Sequence, residues 1–294
     1  MRYRMIEIRR RIKAISKRLL MERLMPAVKL CMLLIVLYLT VFYIKLYASP
    51  ILVVEGAGIS AFIDAYLNMN WKQILSIIVI NIFSILIIGP VMCIFAEFFI
   101  KVTEKRKQAP GNGHPGEPES NVPVEDEELK VSKYLHWFTE SGFRSRAILL
   151  RFAVTVLSVL WHVIFIGPPL VLLYFLKGNP NSISYTNKVF IYTTWMLVGY
   201  LLTYVKLGTY YPSYFLLARH PQMPIKEVLR DSTKMMRGHA VEFFRYKLSF
   251  LPWYALCIVT FGFALLYVVP YRGISDATFI RYIDSVSSEG NLPW

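Results

Sequence analysis

Three ionisable side chains, Glu97, Arg151 and His162, fall inside long apolar runs, where a titratable group is expensive and marks a functional candidate. Glu97 and Arg151 sit at similar depth in consecutive runs, so an interhelical ion pair is one use for them. Lys101, one helical turn beyond Glu97, is the alternative partner. A structural pair is the simpler reading, and a proton or substrate site the more demanding one. His162 lies nearest the middle of its run, beside Trp161 and one turn after Ser158. It is either a neutral histidine bonded to a neighbour or a proton relay, since imidazole alone titrates near neutral pH without perturbation. Asn81 and Ser84 read as interhelical hydrogen-bonding groups.

No catalytic, cofactor-binding or metal-ligating set is expected. The chain contains no H-E-x-x-H, G-x-S-x-G, P-loop or dinucleotide glycine fingerprint. Cys31, Cys93 and Cys257 all lie in apolar runs without metal-ligand spacing, so they read as small hydrophobes. The acidic run Glu125–Glu128 sits in a polar stretch and reads as a solvated charge block.

The elements that must position these groups follow from composition. Of 294 residues, 55% are hydrophobic and only 18% charged, with a mean hydropathy of +0.45. That excludes an ordinary cytosolic globule, a disordered chain and a collagen-like repeat. The net charge of +14 would suggest nucleic acid in a soluble protein. Beside apolar spans, an anionic membrane surface is the nearer partner, and nucleic acid is not expected.

A bilayer core needs roughly 20 apolar residues of helix. Five stretches reach that length, at about 28–47, 73–100, 147–176, 189–218 and 248–270. The expected fold is therefore an all-α polytopic bundle of five transmembrane helices plus two amphipathic helices on the cytoplasmic side. Gly89-Pro90 and Gly167-Pro168-Pro169 interrupt the second and third spans, as packing kinks or as broken helices lining a cavity. Twenty-six of the thirty-three basic residues fall on one side of this arrangement. The positive-inside rule then puts the N-terminus in the cytoplasm, and an odd span count puts the C-terminus outside. With no A-x-A-like site after the first span, the N-terminal segment reads as a signal anchor.

Between the spans, Ile8, Ile12, Ile15 and Leu19 mark one apolar face of a basic helix, expected to lie in the headgroup layer. Residues 1–27 thus form a basic amphipathic unit, 28–100 a first helix pair and 101–146 a cytoplasmic loop. A Pro/Gly/acidic stretch at 108–128, including His114, is expected to be flexible. A second helix pair at 147–218 precedes an amphipathic helix at 219–247, and 248–294 holds the last span and a tail. In that amphipathic helix Ile225, Val228, Leu229, Ser232, Met235 and Met236 share a face, and Gly238 ends it.

The C-terminal string carries a family resemblance. Ser232, Met236, Gly238, Phe244, Leu248, Ser249, Phe250 and Trp253 are followed by Gly262, Pro270, Tyr271, Ala277 and Phe279. Over these roughly 50 residues the chain resembles a bacterial multi-pass membrane family known as domain of unknown function 975. Upstream, Gly142-Phe143 and the two I-G-P kinks are similar to it as well. Pro252, Ala264 and Ile280 depart from the pattern, standing where Gly, Gly and Tyr are usual. The resemblance implies a bacterial plasma-membrane protein and brings no activity with it. Read physically, Gly238 turns the chain into the bilayer, Trp253 anchors the start of the last span and Pro270-Tyr271 marks its far end.

Two functions are carried forward. One is a non-enzymatic membrane protein that organises or binds lipids or partner proteins through its cytoplasmic helices. The other is a small transporter or channel component built on the kinked second and third spans. A lipid-modifying enzyme is a distant third.

Overall fold

A computed structural model describes residues 2–47, 69–104, 131–176 and 182–288. The 108–128 stretch, with His114 and Glu125–Glu128, lies outside them. Every regular element among the described residues is helical. The order is α1 (Arg2–Glu22), α2 (Leu24–Tyr47), α3 (Trp71–Glu104), a 3₁₀ turn (Val131–Tyr134), α4 (His136–Thr139), α5 (Ser141–Tyr174) and α6 (Ile183–Gly208). Then come α7 (Pro212–Arg219), α8 (Ile225–Met235), α9 (Ala240–Leu248), α10 (Leu251–Val259) and α11 (Leu265–Ser288).

Four segments are long and apolar enough to cross a membrane: Leu24–Leu46, Trp71–Glu104, Ser141–Tyr174 and Ile183–Arg219. α3 has 34 residues and spans about 51 Å, well beyond a hydrocarbon core of about 30 Å. The surplus shows in its burial. Ile74, Leu75, Ile78, Val79, Ile82 and Phe83 are exposed, whereas Ile94, Phe98, Phe99 and Val102 are fully packed. α5 and α6 likewise expose Leu160, Val163, Phe190 and Leu197 in an apolar belt of the kind a bilayer covers. Below the belt, the last turns of α3 join α1, α4, α7, α8 and α11 in one hydrophobic core around Trp137, Tyr134, Leu217 and Met236. The multi-pass membrane fold thus has a lipid-facing half and a densely packed basic end.

Both proline motifs leave their helices whole. α3 runs through Pro90, and α5 through Pro168 and Pro169. Gly89 is a point of close approach, since a Cβ there would lie 2.7 Å from the Ala147 carbonyl oxygen of α5. Gly199 of α6 plays the same part against Phe165, at 2.5 Å from its carbonyl oxygen. Gly167 faces only Val163, at 3.9 Å.

The fifth apolar stretch departs from expectation. α10 stops at Val259, Phe261 and Gly262 adopt positive φ (50° and 91°), and α11 starts at Leu265 running back along α9 and α10. Ring pairs fix the antiparallel register: Trp253 with Tyr267, Phe250 with Tyr271, and Tyr246 with Phe279. The 248–270 stretch is therefore a helical hairpin rather than one crossing helix. Its tip carries Phe261, 95% exposed, and Phe263. α11 returns to the basic end, where Arg281 donates to the Thr103 carbonyl of α3 and Arg219 pairs with Asp284 at 2.8 Å. Described α11 thus ends beside the last turn of α3 and the end of α7. The helix breaks because Thr260–Ala264 allows a turn: Gly262 accepts the left-handed backbone without penalty, and Thr260 Oγ1 accepts from the Ala264 N–H at 3.1 Å.

Candidate functional site

The three intramembrane candidates do not meet. Glu97 lies at the packed end of α3, where Trp137 Nε1 donates to it at 2.7 Å, Lys101 pairs with it at 2.8 Å and His136 Nε2 lies 3.3 Å away. Between Arg151 and Lys101, it is Lys101 on its own helix that pairs with Glu97. Arg151 points instead to Tyr214, whose hydroxyl accepts from Nη1 at 3.4 Å, and its Nε is buried without a partner among the described residues. His162 turns back on α5. Its Nδ1 lies 2.6 Å from the Ser158 carbonyl oxygen, which can only accept, so Nδ1 carries the proton. Asn81 likewise donates to its own helix, at the Ile77 carbonyl.

The N-terminal helix is also placed differently from expectation. Ile12, Ser16, Leu19 and Leu20 of α1 are buried, and Ile15 faces out. Its apolar stripe packs on α11 rather than on lipid, tied by Lys13 Nζ donating to the Ser249 carbonyl at 3.1 Å and stacked 4.6 Å over the Phe250 ring. Arg10, Arg11 and Lys17 stay exposed on the outer face.

The C-terminal string is architectural at most positions. Ser232 of α8 is fully buried and donates to the Thr209 carbonyl at 2.7 Å, satisfying a group left over at the end of α6. Val228, Met235 and Met236 share its buried face, as their spacing requires. Gly238 has φ +82° with nothing within 4 Å of a Cβ, so backbone conformation alone selects glycine. Phe244 packs on Tyr204, Ser249 donates to the Tyr246 carbonyl, and Leu248 is half exposed. Tyr271 and Trp253 touch each other, so Pro270-Tyr271 does not mark a far membrane face.

The hairpin assembles a charge cluster that no sequence motif announces. Asp276 of α11 is fully buried, with Oδ2 2.5 Å from Lys247 Nζ and 3.7 Å from Arg272 Nε. The Tyr211 hydroxyl donates to the same oxygen at 2.7 Å. Oδ1 is buried and meets no donor among the described residues. Lys247 is only 8% exposed and lies 4.1 Å over the Tyr211 ring. Burial pushes its ammonium down to about 7, against the opposing pull of Asp276. Arg272, one turn before Asp276, also donates to the Tyr254 hydroxyl. Beside the cluster a cleft of about 170 Å³ opens between α6 and α9, lined by Tyr204, Gly208, Phe243, Phe244, Lys247 and Arg272. Lys247 and Arg272 flank an apolar run in sequence, and only the hairpin brings them to one carboxylate.

A family model described as "Protein of unknown function (DUF975)" matches residues 122–287, more than half of the chain, from the stretch before α4 almost to the end of α11. No curated protein and no solved structure matches the chain.

Proposed function

The chain belongs to the DUF975 family of unknown function, and on its own geometry we propose a non-enzymatic membrane protein that binds anionic lipid headgroups at its basic end. In this reading the basic end faces the cytoplasm and the plasma membrane supplies the acidic lipid. The observation that carries it is the docking of α1. Its apolar stripe is held by α11, so Arg10 and Lys17, with Arg11 paired to Glu7 beside them, are presented outward as a fixed basic face. Each such cation near an anionic surface contributes about 1 kcal/mol. A pathway reading receives less support. Glu97, Arg151 and His162 have separate partners on separate elements, and His162 is satisfied within its own helix.

The test is reconstitution in nanodiscs of phosphatidylcholine alone or with phosphatidylglycerol added. Phosphatidylglycerol should raise the thermal midpoint at low salt, and the triple charge reversal Arg10→Glu, Arg11→Glu, Lys17→Glu should remove most of the gain. Equal midpoints in the two lipids would overturn the reading. So would ion or solute flux in liposomes that His162→Ala abolishes.

A further inference from the structure

We propose that the cleft between α6, α9 and α11 is a discrete site for the phosphate of one anionic lipid, held by Arg272 and bordered by Lys247. The inference rests on the lipid-binding reading and names a site separate from the basic face of α1.

Charge sets the ligand class. One carboxylate, Asp276, serves two cations, and at 2.5 Å Lys247 takes the closer share of it. Arg272, 3.7 Å from the carboxylate, is held more loosely and keeps part of its guanidinium for another anion. Its Nε faces Asp276 and its Nη1 the Tyr254 hydroxyl, while Nη2 makes no hydrogen bond among the described residues. A guanidinium with N–H donors to spare in an otherwise apolar recess is suited to a phosphate or carboxylate oxygen. Volume permits it, because about 170 Å³ is far above the roughly 15 Å³ that admits a single water.

Position selects a lipid over a soluble anion. Tyr204, on the cleft wall, is half exposed on the lipid-facing helix α6, and Leu248 is exposed immediately beyond Lys247. Phe243 and Phe244 supply an apolar wall along which the first acyl carbons can run. The cleft therefore sits where the apolar belt gives way to the packed basic end, the level of headgroup phosphates. A soluble phosphate would fill the polar corner and leave the aromatic wall without a partner.

Native mass spectrometry of the full chain, titrated with phosphatidylglycerol or phosphatidylcholine, tests this. The wild type should retain one phosphatidylglycerol about ten-fold more tightly than phosphatidylcholine, the scale of a charge-assisted hydrogen bond to a fixed cation. Arg272→Gln leaves the Lys247–Asp276 pair intact and should abolish that preference. Ala240→Phe, which fills the cleft from the first turn of α9 without touching a charge, should do the same. Survival of the preference in both folded variants overturns the site. If the α1 charge reversals still lower the midpoint gain, only this site fails and the broader reading stands. Inorganic phosphate added to protein in phosphatidylcholine nanodiscs is the second arm. No midpoint shift supports the lipid assignment, and a shift that Arg272→Gln removes overturns it in favour of a soluble anion.

Discussion

Asp276→Asn should destabilise the protein more than Ser232→Ala or either exchange at Gly238 and Gly199. The substitution keeps shape and removes charge, leaving Lys247 and Arg272 facing each other across a buried amide that Tyr211 also addresses. Removing one partner of a buried pair costs about 3–5 kcal/mol. At roughly 2–4 °C per kcal/mol for chains of this order of size, the midpoint should fall by about 10 °C. The assay is thermal unfolding in detergent at pH 6, where Lys247 is protonated in the folded protein. The decisive comparison is the cycle with Lys247→Met. The double variant should regain part of the loss, giving a coupling of at least about 1.5 kcal/mol. Along one crossing helix these residues, 29 apart, would be separated by about 44 Å and could not couple. Additivity within about 0.5 kcal/mol would refute both the cluster and the hairpin that builds it.

Wild-type stability should rise as pH increases from about 7 towards 10.5, because the unfolded chain then binds a Lys247 proton that the folded chain has released. Lys247→Met should flatten that slope in pH-dependent melting. Gly238→Ala, with φ at +82° and open space around it, should cost about 1–2 kcal/mol from backbone strain alone, read as a lower midpoint. Gly199→Ala places a methyl 2.5 Å from the Phe165 carbonyl oxygen and should push α5 and α6 apart at a cost of about 1–3 kcal/mol, whereas Gly167→Ala, with only Val163 nearby, should be near neutral. Ser232→Ala should lose about 1 kcal/mol, since Ser232 donates to the last turn of α6.

Helical class and the first four long apolar segments were legible because hydrocarbon admits only helices and closed barrels, and unbroken apolar runs of about 20 residues suit a helix rather than a barrel strand. The packed face of α8 was legible for a similar reason, as Val228, Ser232, Met235 and Met236 repeat at helical spacing whatever they touch. The hairpin was not. A 23-residue apolar run reads as a span by composition, and its turn rests on the two positive φ values at Phe261-Gly262, one residue of which is not glycine. Read as one crossing helix, the run would put Lys247 and Arg272 at opposite ends and leave Asp276 beyond it. For α1 the stripe was readable, but its partner was not: amphipathicity fixes which face is apolar and leaves open whether lipid or α11 covers it.

Once the hairpin is in place, the C-terminal string acquires one structural logic. Ser232 ties α8 to the end of α6, and Gly238 releases the chain from α8 so that α9 can climb back along α6, with Phe243 against Gly208 and Phe244 against Tyr204. Phe250 and Trp253 then meet Tyr271 on α11, the returning helix of the hairpin, while Phe279 stacks on Tyr246. Gly273 brings α11 against Phe99 of α3, closer than any side chain would allow. Each of these contacts serves the reversal at Phe261-Gly262, and the reversal is what carries Asp276 to Lys247. A reporter fused after Ser288 should therefore face the same side as one fused at the N-terminus. Opposite faces would mean that the 248–270 stretch crosses after all, and every contact of the cluster would have to be abandoned with it.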